Sequence, residues 1–490
     1  MVIGAHIVLV GALIAWLASG RPIGIPGAWA WEVRPKALRP DALVRVVLLG
    51  LGVIGLCAWG AARIRARRRS DGPVVAGLVC FTFLLQLSVA SLAPASAFMM
   101  VAGTASPVST EYFDTAWTLS DPGAFCRDYA STMLKGRHHV ATHPPGAVLT
   151  FWALLKVYRS PSFPGGAFSK LAEFAIGARR REISEAVGAY PRTRLAPEAV
   201  GPALFCCVAF GLLGALTLVP LHHLTRQVAS RRAAVMVCSL FALTPAQLLF
   251  FQGLDSLLLL LVVLALAWTV IALGSGRWRL AVTAGAALGV AFLISFGALA
   301  AIGVALLLGA AWALRSGTSK RAAAWRTVAL VAAGFAAVAG AGDVACDMKL
   351  PLIFRQAMAA HRQFTWVEQH RTYGTWVGLN LVEFFCFLGL PVLVTAFGAA
   401  WTAGRRGWSR ADLVGVSGAA VLLLLDASGS VRGEVGRIWL FLMPALVLWG
   451  GCWLAGGATG GGGLALWTAV LTLLEVIALG IALTPVVMPF

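Results

Sequence analysis

LDSLLLLLVVLALAWTVIAL, residues 254–273, carries a single charged side chain, Asp255, at its N-terminal edge. A soluble helix buries one face and wets the other, and this run has no face to wet. Its length matches the roughly 20 apolar residues that a helix needs to cross a bilayer, where every backbone polar group must be satisfied within the segment. Comparable runs recur at 3–20, 43–62, 74–102, 199–221, 233–250, 279–296, 297–314, 327–346, 376–400, 411–428, 436–455 and 463–486. The whole chain, 490 residues, is 59% hydrophobic and 12% charged, with a mean hydropathy of +0.84. These numbers exclude a soluble domain, whose surface needs far more charge. The prediction is an all-α, polytopic membrane bundle of about 13 spans.

The formal net charge of +19 does not indicate nucleic acid, because the basic residues sit in short turns between apolar runs rather than on a polar surface. The positive-inside rule places such turns on the cytoplasmic side, where they also meet anionic membrane lipids. RIRARRR (63–69) is the strongest marker. Arg226/Arg231/Arg232, Arg277/Arg279, Arg315/Lys320/Arg321/Arg326 and Arg405/Arg406/Arg410 are consistent with it. The loop 104–143, the turn at Asp255, the loop 343–375 and the turn 429–436 then face the other way. The basic loop 159–198, with ARRR at 178–181, conflicts with this scheme if 144–158 crosses the membrane. Charge consistency favours a segment that only dips into the bilayer. The first run, 3–20, lacks the basic start of a signal peptide and reads as a retained span. The expected organisation is an N-terminal membrane hairpin (1–62), a catalytic membrane module (63–346) and C-terminal membrane helices (347–490) with an amphipathic outer loop at 347–375. GGATGGGG (456–463) reads as a connector. Nine scattered cysteines without a Cys-x-x-Cys spacing predict neither a disulfide framework nor a zinc site, and no structural metal is expected.

Polar chemistry is concentrated in the loop 104–143. TEYFDTAW (110–117) sets Glu111 and Asp114 three residues apart, which on a short helix puts both carboxylates on one face, and Asp128 follows after another short helical stretch. A carboxylate at a bilayer surface can act as general base for a hydroxyl or amine, or simply solvate the loop and pair with Arg127 or Lys135. The loop ends in HPPG (143–146). Pro144 and Pro145 suit a first helical turn, whose amides have no intrahelical partner. His143 is thereby held at the helix mouth, where the dipole favours an anion such as a lipid phosphate. A capping role is the alternative.

An acidic residue in the first large outer loop, followed by HPPG opening an apolar segment in a polytopic chain, resembles the GT-C class of polyprenyl-phosphate-dependent glycosyltransferases. The resemblance is to the branch of aminoarabinose transferases, protein O-mannosyltransferases and Rgt-like lipopolysaccharide transferases, and it covers roughly residues 100–275. It implies a GT-C-like bundle in the plasma (inner) membrane, its active site on the non-cytoplasmic side. The expected reaction is inverting transfer of a sugar from a polyprenyl-phosphate carrier to a lipid, glycan or protein acceptor. It implies an outer-loop acid as catalytic base and His143 as a ligand of the carrier phosphate. The family's Asp-Glu pair is replaced by Glu111-Tyr-Phe-Asp114, so Asp114, Glu111 and Asp128 all remain candidates for the base. No cofactor is required, although a divalent cation could assist.

Three further stretches fit such a site. Asp255 opens an apolar helix after the breakers Pro245 and Gly253. In SGSVRGEVGRIWLFLMP (428–444), Arg432 and Arg437 could clamp phosphate while Glu434 orients one of them; an interfacial ion pair is the simpler reading. In RQAMAAHRQFTWVEQHRTYGTW (355–376), His361, Arg362, Trp366, Arg371 and Tyr373 suggest a surface helix that covers the cavity or meets the acceptor. The rival function is a polytopic transporter or lipid flippase, which would place charge near the midplane on broken helices.

Overall fold

A computed structural model describes residues 2–25, 29–33, 38–67, 70–92, 96–107, 109–136, 139–176, 180–189, 195–456 and 461–483. Parts of RIRARRR, ARRR and GGATGGGG lie outside the described residues. The chain is a helical membrane bundle. Among the described residues, eight helices are long and apolar enough to cross a bilayer: Pro40–Arg65, Gly72–Val89, Pro197–Val228, Leu254–Ser275, Ala298–Arg315, Lys320–Cys346, Arg410–Ser428 and Gly463–Ala482. A ninth is added if Tyr373–Leu388 and Leu390–Arg406, bent by 104°, count as one. Val2–Ala18, Gly146–Tyr158, Trp278–Ile294 and Leu440–Gly456 are shorter apolar helices.

The runs 3–20, 279–296 and 436–455 form helices of only 10–17 residues, and elsewhere a hydropathy window does not register a break inside an apolar run. The run 74–102 is two helices, Gly72–Val89 and Ser96–Ala105, and the run 233–250 divides at Pro245 into Arg231–Ala242 and Pro245–Leu249. The run 376–400 turns at Gly389. There Pro391 occupies the first turn of the second helix, and the Glu475 carboxylate accepts the Leu390 N–H at 2.9 and 3.2 Å. A buried acid thus takes a helix-start amide that would otherwise go unsatisfied inside the bundle.

The N-terminal region is tied into the rest. Val2–Ala18 packs on Gly461–Ala482 and Leu390–Arg406. It leads into a small antiparallel hairpin, Ile23–Ile25 with Trp29–Trp31, which the all-α expectation did not include. Trp31 lies against Phe250 and Phe387, ring centroids 5.3 and 5.1 Å away.

The basic turns hold one end of the bundle. Asp71 takes Arg226 at 3.1 Å and also Arg231. Asp412 takes Arg406 at 3.1 Å and the Trp449 indole N–H at 2.8 Å. Because Leu254–Ser275 and Arg410–Ser428 each run from one end to the other, Asp255 and the turn after Ser428 lie at the opposite end from Arg277 and Arg410.

The position of Gly146–Tyr158 follows from its neighbours. It runs antiparallel to the first half of the Val200–Leu216 helix, with Phe151 on Phe210 and Tyr158 on Phe205. Further along that helix, Gly211 and Gly214 are level with Phe251 and Ser256 at the start of Leu254–Ser275. The 146–158 helix therefore flanks only the part that rises beyond the Asp255 end, and its 13 residues span about 20 Å, short of a bilayer core. At its far end the Arg159 guanidinium lies 4.4 Å from the Trp117 ring of the 104–143 loop. Both ends thus stay with the outer-loop helices. A cysteine at Arg159 should react with an impermeant maleimide from the same side of sealed vesicles as one at Asp121, in a background lacking other accessible thiols. Labelling from opposite sides would contradict this placement.

Candidate functional site

The site is built around Arg437, in the short helix Val435–Ile438. One guanidinium nitrogen donates to Asp255 Oδ2 at 3.3 Å and the other to Glu434 Oε2 at 3.1 Å. The second Glu434 oxygen faces Arg371 Nη2 at 3.6 Å. Burial works against the Arg437 charge, but Asp255 and Glu434 outweigh it and hold its pKa above the ordinary value. Glu434 adopts a left-handed backbone, φ +62°, a costly conformation for a side chain with a Cβ and one that persists where its surroundings over-determine it.

Those surroundings come from 350–376. Leu350–Arg362 continues into a π-helical turn, Gln363–Glu368, which is stitched onto the 428–437 turn. His361 Nε2 meets the Ser430 carbonyl at 2.8 Å, so that nitrogen must carry the proton. Tyr373 donates to the Ala427 carbonyl at 2.7 Å, and Arg371 and Arg432 each donate to the other's backbone carbonyl. Arg432 also donates to the Gly429 carbonyl at 3.1 Å, and its guanidinium lies 4.1 Å from the Trp366 centroid. Arg362 lies 5.8 Å from the same ring. Arg432 is therefore used in shaping the turn, whereas Arg437 faces the two acids. Gly429 has no substitute: its φ is +60° and the Tyr373 ring occupies the place of a Cβ.

The opposite wall is the outer loop. Tyr112 meets His143 edge-on at 5.6 Å and His139 at 6.0 Å, and stacks on Phe151. Burial raises the Tyr112 phenol well above its ordinary pKa. The charges of Arg437, Asp255 and Glu111 also act on it, which joins this wall to the arginine cluster. The Tyr129 hydroxyl shares its proton between the Val140 and His143 carbonyls, at 2.9 and 2.8 Å, and so holds the HPPG turn. His143 is extended and the helix begins at Gly146, where a Cβ would strike the Leu293 carbonyl. His143 Nδ1 lies 3.2 Å from the His139 carbonyl. A carbonyl only accepts, so Nδ1 carries the proton and Nε2 presents a lone pair. Burial, with further contributions from His139, Arg437 and His361, pushes the His143 pKa down to about 3. It is therefore neutral at ordinary pH.

The three candidate acids separate. Glu111 occupies the N-cap position of Tyr112–Thr118 in a left-handed conformation, φ +59°, and its charge acts on Tyr112 and Tyr129. Asp114 is exposed, two residues beyond the inward-facing Tyr112 and so on the other face of that helix. Asp128 is exposed at the junction of two short helices, where its carbonyl accepts the Ser131 and Thr132 hydroxyls. The structure thus brings together Glu111, His143, Asp255, His361, Arg371, Arg432, Glu434 and Arg437, and leaves Asp114 and Asp128 on the rim.

Glu383, Asn380 and Trp31 complete the site and were not anticipated. Glu383 accepts the Trp31 indole N–H at 3.0 Å and the Gly436 N–H at 3.1 Å, one residue before Arg437. Asn380 donates to Asp426 and the Val431 carbonyl and accepts the Gly433 N–H. An acid inside WVGLNLVEFFCFLGLP (376–391) was itself a signal, since charge within a span is costly and needs partners. Nothing in the sequence pointed to Trp31. Among the described residues no group of three His, Cys, Asp or Glu side chains is placed to hold a metal ion. In comparisons with known proteins, no family model and no curated protein matches the chain.

Two outcomes follow from this geometry. An unfolded histidine titrates near 6.5, far above His143, so as pH falls the unfolded chain takes up the proton first. Stability is then complete above about pH 6.5 and lost progressively towards pH 3, by at most about 1.4 kcal/mol per pH unit. Imidazole nitrogen shifts should keep His143 neutral at pH 5, and His143→Gln should flatten the acid limb of a denaturation series. Arg437→Met strands Asp255 and leaves Glu434 facing Arg371 alone at 3.6 Å. With side chains 31%, 20% and 12% exposed, solvent screening reduces the loss to about 1–3 kcal/mol. Adding Asp255→Asn and Glu434→Gln should recover part of it in a thermal unfolding assay.

Proposed function

We propose that this chain is an integral membrane glycosyltransferase of GT-C type, working at the non-cytoplasmic face of the plasma (inner) membrane. Its donor would be a sugar on a polyprenyl phosphate, and its acceptor a hydroxyl or amine of a lipid, glycan or protein. The observation that carries this reading is the convergence, at one end of the bundle, of a neutral histidine, the Glu111–Tyr112 step and an arginine held by two acids. In the transfer the acceptor oxygen or nitrogen bonds to the anomeric carbon from the face opposite the leaving group. The carbon–oxygen bond to the carrier breaks, and its electrons go to the polyprenyl phosphate. The acceptor proton passes to Glu111, better placed than the exposed Asp114. The growing charge on phosphate would be met by Arg437, whose 3.3 Å contact with Asp255 is long for a charged pair and hence the more readily exchanged. Stabilisation of this kind is strongest in a partly dry site.

The reading is tested by reconstituting the full chain with a panel of labelled polyprenyl-phosphate sugars and of lipid and peptide acceptors. Glu111→Gln, His143→Asn and Arg437→Ala should each lower transfer by about 100-fold or more, and Asp114→Asn by less than about 10-fold. Wild-type rates from all three of the first set, or no transfer from any donor, would reject the assignment. One observation favours the rival. The chain breaks at Gly389 beside the fully buried Glu475, and discontinuous helices with intramembrane acids are a feature of transporters. Lipid or solute flux through vesicles without group transfer would select that reading.

A further inference from the structure

Where the chain breaks between Arg231–Ala242 and Leu254–Ser275, amide side chains turn into the bundle. Gln247, in the short helix Pro245–Leu249, is 1% exposed, and Gln86, in the Gly72–Val89 span, is fully buried. The Gln86 amide nitrogen donates to the Gln247 backbone carbonyl at 3.1 Å, which fixes how the Gln86 amide is turned. Its oxygen, and both the oxygen and the nitrogen of the Gln247 amide, have no hydrogen-bond partner among the described residues. These groups gather against two glycines of the Val200–Leu216 helix. A Cβ on Gly214 would stand 3.1 Å from Ser256 Oγ, 3.3 Å from Gln247 Nε2 and 3.4 Å from Gln86 Nε2. One on Gly211, a turn earlier, would stand 3.4 Å from Gln86 Oε1. Ser256 donates its proton to the Phe251 carbonyl at 2.9 Å, so its oxygen is left to accept.

We propose that Gln86, Gln247 and Ser256 form a binding site for ordered water inside the bundle, against Gly211 and Gly214. Buried amides without partners are costly, and lipid around the bundle offers none. The groups to be satisfied decide the occupant. Whichever way the Gln247 amide is turned, the site presents one NH2 donor together with two amide oxygens and the Ser256 hydroxyl oxygen as acceptors. A metal cation would meet the oxygens and leave the N–H groups unmet, and an anion would do the reverse. Water both donates and accepts, and a buried water takes about three such partners. The missing side chains of the two glycines leave room at the point where the amides converge. Water bound there joins the Gly72–Val89 span, the Pro245–Leu249 helix and the start of Leu254–Ser275, one residue beyond Asp255. This site is independent of the reaction assigned above.

The experiment is X-ray hydroxyl-radical footprinting of the full-length protein in lipid nanodiscs, read by mass spectrometry. Radicals formed from bound water label the side chains beside it, even where bulk solvent does not reach. Phe251 is 1% exposed, and its ring lies 2.8 Å from the same Gly211 Cβ position, so it reports on the site. Phe241, fully buried in Arg231–Ala242, is the control. Phe251 should be labelled about 10-fold more than Phe241. The double variant Gln86→Leu/Gln247→Leu, whose folding is checked by gel filtration, should bring Phe251 down to the control level. Gly214→Ala, which crowds the same point, should lower it as well. Equal labelling of Phe251 and Phe241 in the unmodified chain would overturn the proposal. So would Phe251 labelling that drops when choline chloride is exchanged for sodium chloride, which would assign the site to a cation.

Discussion

The arrangement at the Asp255 end of the bundle depends on Arg437 lying between Asp255 and Glu434. A guanidinium at the mouth of an apolar helix is costly unless it is paired, and here its partners come from two different elements. Asp255 opens the helix that runs to the basic turn at Arg277, so the ion pair fixes the level of that helix against the 428–437 turn. Glu434 reaches its position only through a strained backbone. That strain is sustained by Arg371, by Asn380 on Gly433 and by the Glu383 bond to Gly436. The contacts are mutually conditional, and the loss of one leaves a buried charge or a buried amide behind.

This interlocking explains why the N-terminal residues belong to the same unit as the outer loop. Trp31 completes Glu383, which completes the backbone next to Arg437. Through Trp31 the N-terminal segment thus buttresses the site from behind. Likewise 350–376 is not a detached cover. Arg371, His361 and Tyr373 are fastened to the Arg432, Ser430 and Ala427 carbonyls, and Trp366 lies against Arg432.

Two charged networks divide the bundle. At one end Asp71 and Asp412 gather arginines of the basic turns. At the other, acids and arginines alternate around Arg437. Between them the spans are apolar apart from isolated buried polar groups, among them the fully enclosed Glu475 at the Gly389 break. A neutral His143 suits the outer end, because a second uncompensated cation beside Arg437 would raise the cost of burial, and the fields of Arg437 and His139 both act against its protonation.

Sequence alone determined the fold class. Backbone polarity in lipid leaves a long apolar run no alternative to a helix, and LDSLLLLLVVLALAWTVIAL satisfies that condition by itself. It also located the residues that the outer end collects, since charge and histidine at the mouths of apolar runs stand out against so apolar a chain. Tertiary structure decided which of them meet. Whether Glu111 or Asp114 faces inward depends on how one short helix is rotated by Tyr112 and Phe113 packing on Phe151, and a spacing of three residues carries no information about that rotation. Breaks at Gly389 and Pro245, the Trp31–Glu383 bond and the neutral state of His143 depend on partners far away in the chain. Local composition sets what a segment must satisfy, and only packing sets what satisfies it.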